Sequence, residues 1–502
     1  MTQRTKTLLR VFAWVAGLGL CTWHYLDHGI RTMWAANNRV DSYDQIFYLR
    51  RADETARLGE PRHIQRSRMP LFPRLLAFFH RDGLSEEDLF IRFKFVNVVI
   101  SIFVLLAMLA VARWALGVAL AVPLMLGATF TFVVFKAVLV QPEILFYLLY
   151  FLGFVLMAWC LRRPDWRLAL GIGGLLGVTH LTKGSALPML AAFLAVSTTR
   201  AVVESWQSVR RSQVTHRLSG RGQNWVPIAC LGGFLVVTGQ FFWNSTKTFG
   251  HPLYDLNTQI HLWAESPKEL AALQAFRLAH RRPVLDTEVM RSPLVQEFLP
   301  QWVGNPELLA DINRRVQSGE RVALEGRFAV LPNAKNYFRR HSLSEAAGRL
   351  ASGVAHVVQR NLTHRNGYGA HLAVWLGTAL CLALLALIFV PEKCRADFAI
   401  SKYAIAFVAL NLLGNLLLYG WFDHVSNRNR FFLTLFLPLM VSCGWSLRFA
   451  ARSLPWRFSI RLPNRFGGSL ALTPWRVVVI ALWAFAIADI WDLDAGPKQL
   501  HQ

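Results

Sequence analysis

The run Ile91-Arg-Phe-Lys-Phe-Val-Asn-Val-Val-Ile100-Ser-Ile-Phe-Val-Leu-Leu-Ala-Met-Leu-Ala110-Val-Ala-Arg-Trp-Ala-Leu116 decides the fold class. Its interior is apolar for long enough to cross the hydrocarbon core of a bilayer as one helix, which takes about 20 residues at about 1.5 Å each. Apolar stretches of roughly this length recur along most of the 502-residue chain. They begin near Val11, Ile91, Trp114, Pro142, Arg167, Gly184, Val226, His371, Ala399, Phe431 and Trp475. The expected architecture is an all-α integral membrane protein of about eleven transmembrane helices, with external loops of amphipathic helix. Three parts follow: an N-terminal module, 1–243, with a first external loop at 27–90; an external cap of short helices, 244–369; and C-terminal helices, 370–502.

Composition agrees. Hydrophobic residues make up 54% and charged residues 17%, too few charges to solvate a soluble surface of this size. The net charge of +24 does not point to nucleic acid, because Lys and Arg fall between the apolar runs rather than on one folded face. That is where orientation in a membrane needs them. Segment 200–223 carries Arg200, Arg210, Arg211, Arg217 and Arg221 against Glu204. Segment 448–476 carries six Arg and no acid, and Arg162, Arg163, Arg167, Lys393 and Arg395 flank two more connections. With a cytoplasmic N-terminus and eleven crossings, all of these face the cytoplasm. The acid-containing loops 27–90, 244–368 and 421–430 then face outward, with the C-terminus. The basic head before the run at 11–26 also suits a signal peptide, but no small-x-small site follows Trp23, so a retained first helix is expected. The high Arg content and compact loops favour a bacterial inner membrane with a periplasmic active site. The sequons at Asn244-Ser-Thr246 and Asn361-Leu-Thr363 would matter only in a eukaryotic secretory setting. The six cysteines show no metal or disulfide spacing and read as small apolar residues of helices. No nucleotide-binding phosphate loop is present.

The first external loop reads Arg39-Val-Asp41-Ser-Tyr-Asp44-Gln-Ile-Phe-Tyr48-Leu-Arg-Arg-Ala52, followed by Arg68-Met-Pro70-Leu-Phe-Pro73. Asp41 and Asp44 would share a helical face that Tyr48 and Ala52 continue. Such carboxylates are either solvated loop charges or, in an apolar-walled cavity, candidate general bases. Lys183 lies between two apolar runs, where an ammonium needs a partner or a route to the interface. Glu143 opens a span and could pair with it or hold a metal. His180 reads as a packed helix residue before a ligand. Arg428 and Arg430 flank a helix end, where snorkelling is ordinary.

Asp44-Gln-x-x-Tyr48-Leu with Arg68-x-Pro-Leu-Phe-Pro resembles the D-E-x-x-Y-L and R/K-P-P-L-Y-P pattern of the C-type glycosyltransferase superfamily, nearest its protein O-mannosyltransferase and aminoarabinose-transferase branch. Gln141-Pro-Glu143-Ile-Leu-Phe, Leu181-Thr-Lys183-Gly184, Asn244-Ser-Thr-Lys-Thr-Phe-Gly250-His-Pro252 and Arg428-Asn-Arg430-Phe-Phe are similar to further family segments, in family order, over about 400 residues. The chain departs from the pattern at Gln45, where the family has an acid, at Met69 and at Trp243. The resemblance implies a membrane glycosyltransferase that moves a sugar from a polyprenyl-phosphate donor to a lipid, glycan or protein acceptor, with inversion. Asp44 would be the base, with Asp41 as a substitute partner, and Arg68, Lys183, Arg430 and Arg428 would hold the donor phosphate. Tyr48, Glu143 and His180 are further site candidates. No cofactor is required by this chemistry, and a divalent metal stays open. The partners are the lipid-linked donor, the acceptor and membrane lipids, without nucleic acid. The rival from another class is a lipid-linked-sugar flippase or transporter, which would show inverted repeats and mid-span ionisable groups. No repeat is visible.

Overall fold

The computed structural model describes residues 3–35, 37, 39–40, 44–59, 68–210, 224–249, 252–253, 256–279, 292–303, 306–318, 334–363, 368–426, 433–454, 458–461 and 469–492. In chain order these form α1 (Gln3–Ala35), α2 (Gln45–Leu58), α3 (Leu71–Ala77), α4 (Glu86–Leu116), α5 (Val118–Ala128), a π-turn (Thr129–Val133), α6 (Val134–Ala137), α7 (Glu143–Arg162), α8 (Trp166–Thr182), α9 (Leu187–Arg210) and α10 (Val226–Phe249). Short helices follow: α11 (Leu256–Trp263), α12 (Pro267–Ala279), α13 (Pro293–Val303), α14 (Pro306–Gln317) and α15 (Ala334–Arg340). The chain continues with α16 (Leu343–Thr363), α17 (Tyr368–Phe389), α18 (Pro391–Ser426), α19 (Leu433–Ser453) and α20 (Pro474–Asp492).

Among the described residues, eight helices are long and apolar enough to cross a membrane: α4, the continuous α5–α6 rod, α7, α9, α10, α17, α18 and α19. The protein is a helical, multi-pass membrane protein. At the three other expected positions the chain is also helical, as α1, the 17-residue α8 and the apolar α20. One feature was not expected. Strands β1 (Phe458–Arg461) and β2 (Ser469–Leu472) pair antiparallel inside the arginine-rich connection. Phe-Ser-Ile-Arg alternates apolar and polar side chains, the period of a strand, but four residues are too few to register beside span-length apolar runs.

Local chemistry sets the helix ends. Ser85 caps α4, its Oγ accepting from Asp88 N at 3.1 Å, and Glu86, Glu87 and Asp88 place negative charge at the positive end of the helix dipole. A single residue, Gly117, separates α4 from α5. Its φ of 79° is open to glycine without strain, and it lets one long apolar run fold back as two helices. Pro267 begins α12 in the first helical position, where its missing N–H costs nothing. Ser342 and Glu345 form a reciprocal capping box at the start of α16, with Glu345 N donating to Ser342 Oγ and Ser342 N to Glu345 Oε2 at 2.7 Å.

The core centres on α7, whose Tyr150, Phe151 and Phe154 are fully buried among α4, α8, α18 and α19. Helices α8 and α10 pack backbone to backbone. A Cβ on Gly173 would fall 1.9 Å from Cys230 O, and one on Gly233 2.1 Å from Leu170 O. Small residues at a crossing are how membrane helices gain van der Waals contact without a hydrophobic driving force. The same device holds α16 to α18, where a Cβ on Gly353 would meet Gly420 O. Trp445 and Trp483 donate their indole N–H to Ala115 O and Ala119 O, each at 3.1 Å, fastening α19 and α20 beside the Gly117 turn.

The region between α10 and α17 is an assembly of short helices around Arg349. Its guanidinium donates to Ala264 O at 2.8 Å, His261 O at 3.3 Å, Trp421 O at 3.5 Å and Tyr337 Oη at 3.2 Å. It also lies over the rings of Tyr337 and Trp421. Burial lifts the Tyr337 phenol above its ordinary pKa, so it stays a donor to Glu265.

Candidate functional site

Asp44 immediately precedes α2 and offers its carbonyl to Phe47 N at 3.2 Å. Its carboxylate does not cap the helix. Instead Asp44 Oδ1 pairs with Arg68 Nη2 at 2.7 Å. The Arg68 side chain is 9% exposed and that of Asp44 23%, so the pair is shielded while the carboxylate keeps a path to solvent. Arg68 lies over the rings of Phe47 and Tyr48, 5.2 and 5.6 Å from their centroids. Tyr48 packs edge-on to Phe72 in a small apolar cluster with Leu49, Ala52, Phe90 and Val140. Its place is therefore under Arg68, as part of the wall. Helix α2 begins at Gln45, so Asp44 stands before the helical face that Tyr48 and Ala52 share. Asp41, the proposed substitute partner, lies outside the described residues, as do Arg428 and Arg430.

A second pair sits at the junction of α7 and α8. Glu143 occupies the first turn of α7, where the helix dipole favours a carboxylate. Lys183 ends α8, its backbone N donating to Thr179 O at 2.9 Å, and its Nζ reaches Glu143 Oε1 at 3.3 Å. The Glu143 side chain is 4% exposed and that of Lys183 16%. Lys183 thus has the acidic partner that an ammonium between apolar runs requires. His180, one turn earlier, is enclosed by Phe234, Phe241 and Phe242 of α10, the surroundings of a packed side chain rather than of an open ligand site.

The two pairs are neighbours. A Cβ on Gly184 would lie 3.0 Å from Met69 Cε, so the residue after Lys183 meets the residue after Arg68. Below them is a buried polar set that the motifs did not reveal. Gln45 and Asn37 exchange amide hydrogen bonds of 2.7 and 2.9 Å. Gln45 Oε1 also accepts from Val140 N at 2.8 Å, and Asn37 donates to Val138 O at 2.7 Å. Asn97 donates to Ala137 O and Leu139 O, and Lys94 Nζ donates to Asn37 O at 2.9 Å. The position where the family pattern has an acid is therefore occupied by a wholly buried amide that uses both donor and acceptor. A carboxylate there could not donate to Asn37. The signal for Lys94 and Asn97 was present in the sequence as two polar residues three apart in an apolar run, and so on one helical face.

An apolar groove of about 420 Å³ opens farther along α1 and α4, lined by Leu18, Cys21, Tyr25, Leu105, Met125 and Trp483 among others. The π-turn contributes Thr129 and Phe130 to its wall. Along α4 it begins near Ile102, eight residues past Lys94 and so roughly 12 Å from the buried polar set. Comparison with family models, with curated proteins and with solved structures returns no match.

Proposed function

We propose that this protein is an inverting glycosyltransferase that takes a sugar from a polyprenyl-phosphate donor at the outer face of a membrane. The observation that carries the reading is the meeting of two carboxylate–cation pairs, Asp44–Arg68 and Glu143–Lys183, at one end of the helical bundle, near a groove of lipid-chain character. An acceptor hydroxyl loses its proton to the Asp44 carboxylate as its oxygen attacks the anomeric carbon. The bond from that carbon to the phosphate oxygen breaks, and the electron pair leaves with the phosphate. Arg68 and Lys183 turn from their carboxylate partners to the phosphate oxygens, where charge-assisted hydrogen bonds strengthen as negative charge develops. The groove takes the apolar chain. The acceptor is a lipid, glycan or protein of the cell envelope.

The orientation belongs to the same proposal: eleven crossings, with α1, α8 and α20 added to the eight, an N-terminus in the cytoplasm and the site in the periplasm of a bacterial inner membrane. A divalent metal remains an alternative, checked by transfer with and without a chelator.

One observation favours the rival reading as a flippase or transporter. Within the bundle Tyr150 Oη donates to Asn411 Oδ1 at 2.9 Å and accepts from Asn415 at 3.0 Å, a buried polar network in membrane-crossing helices. Its members are neutral and the carboxylate–cation pairs sit at the helix ends, which supports the enzyme, whereas Lys94, buried within α4, is a feature the rival would share. Purified protein in detergent, given a panel of radiolabelled polyprenyl-phosphate sugars, decides. Transfer or hydrolysis by wild type that Asp44→Asn loses while still binding donor is the expected result. No turnover of any donor, with carrier movement in liposomes, would overturn it.

A further inference from the structure

Lys94 is 1% exposed inside a membrane-crossing helix, and its ammonium lies between the rings of Trp34 and Phe90, 5.1 and 4.7 Å from their centroids. Its ammonium donates to Asn37 O, and among the described residues no carboxylate neutralises it. A charge buried in this setting is costly. A lysine kept there has a task that a leucine could not perform. It also cannot touch a ligand, because no surface of it is open.

What it touches identifies the task. Asn37, held by Lys94, is joined to Gln45, the residue after Asp44, and Gln45 is joined to Val140, three residues before Glu143. Asn97, one turn along α4 from Lys94, holds the carbonyls of Ala137 and Leu139 in the same stretch. Helix α4 thus grips, with two side chains, the two strips of chain that lead into the two carboxylates. We infer that Lys94 is a positioning residue. With Asn37, Gln45 and Asn97 it forms a buried clamp that sets the distance between the Asp44–Arg68 and Glu143–Lys183 pairs, and so the gap in which donor phosphate and acceptor hydroxyl meet. Its catalytic consequence rests on the glycosyltransferase reading; the clamp itself does not.

The test measures the gap and the reaction separately. Cysteines at Met69 and Gly184 report on the gap, since the two residues touch and Met69→Cys removes the atom that crowds position 184. A short thiol crosslinker is applied to the full-length protein in detergent, and the 69–184 linkage is quantified by mass spectrometry with and without Lys94→Met. Thermal unfolding establishes that each variant is folded. In folded Lys94→Met the linkage forms ~10-fold more slowly, and without the cysteines kcat falls ~10- to 100-fold, as a misplacement near 1 Å produces, while donor KM stays nearly unchanged. A folded variant that crosslinks at the wild-type rate overturns the clamp whatever its activity. If Lys94→Met does not fold, Gln45→Glu, which removes one donor atom at constant shape, decides by the same linkage rate. Slowed crosslinking in a protein that transfers no sugar even as wild type overturns the glycosyltransferase reading and leaves the clamp standing.

Discussion

Arg349 and Arg68 are both arginines beside aromatic residues and an acid, and the structure uses them in opposite ways. Arg349 is committed to three backbone carbonyls and a phenol, on elements that do not move relative to one another without breaking those bonds. Glu265 is only a distant partner, at 3.9 Å. Arg68 meets the Asp44 carboxylate at 2.7 Å with aromatic faces beneath it, and Lys183 likewise meets Glu143. A carboxylate is the protein's own stand-in for an anionic ligand. A cation facing one can exchange it for phosphate, whereas a cation spent on carbonyls holds a fold together.

The sharpest way to break the comparison is Asp44→Asn, which keeps the shape and removes the proposed base. Turnover should fall ~10²- to 10⁴-fold, the usual worth of general-base assistance, with donor binding retained in an equilibrium binding assay. Wild-type turnover would move the base elsewhere.

Next is Lys183→Met. The buried Glu143 carboxylate then loses the cation 3.3 Å away, so the variant should lose ~3 to 5 kcal/mol of stability as well as activity. Adding Glu143→Gln should restore much of the stability, read by thermal unfolding, but not the turnover. Recovery of both would make this pair as structural as Arg349.

Arg349→Ala tests the other side. It should cost ~2 to 4 kcal/mol, since three carbonyls from two segments and the Tyr337 phenol lose their donor together. The loss should appear as faster hydrogen exchange in α11, α15 and α16, with donor binding intact. Loss of donor binding in a still-folded variant would place this assembly of short helices in the site.

The smallest effect is expected at Lys268–Glu297, an exposed pair at 2.7 Å. Lys268→Ala should change neither stability nor turnover measurably, because exposed pairs are screened and entropically costly. A measurable loss would mean that ion pairs in this region contribute more than the comparison allows.

The apolar runs, their order, and the places where helices begin at Pro142, Gly184 and Val226 were legible because each rests on local rules: span length, caps and dipoles. Asp44, Arg68, Glu143 and Lys183 stood out as ionisable groups beside apolar runs, and the structure joins them in two pairs. The length of α1, which runs on to Ala35, and of α10, which runs through Phe249 and takes Asn244 into the helix, was not legible. Polar residues extend a helix as readily as they end one, and in α1 the helix continues even through Gly29.

The sequence by itself determined a multi-helix membrane chain and the residues able to carry acid–base chemistry, since hydropathy and side-chain type are properties of the chain. Only the tertiary structure decided which cations face carboxylates and which are spent on backbone, that Gln45 is a buried amide of a clamp, and that Lys94, more than forty residues from either acid, holds the ground beneath both. Those outcomes depend on contacts between residues distant in sequence, such as Asn37 to Val138 and Gln45 to Val140. In a low-dielectric interior, the partner a polar group finds sets what that group can do.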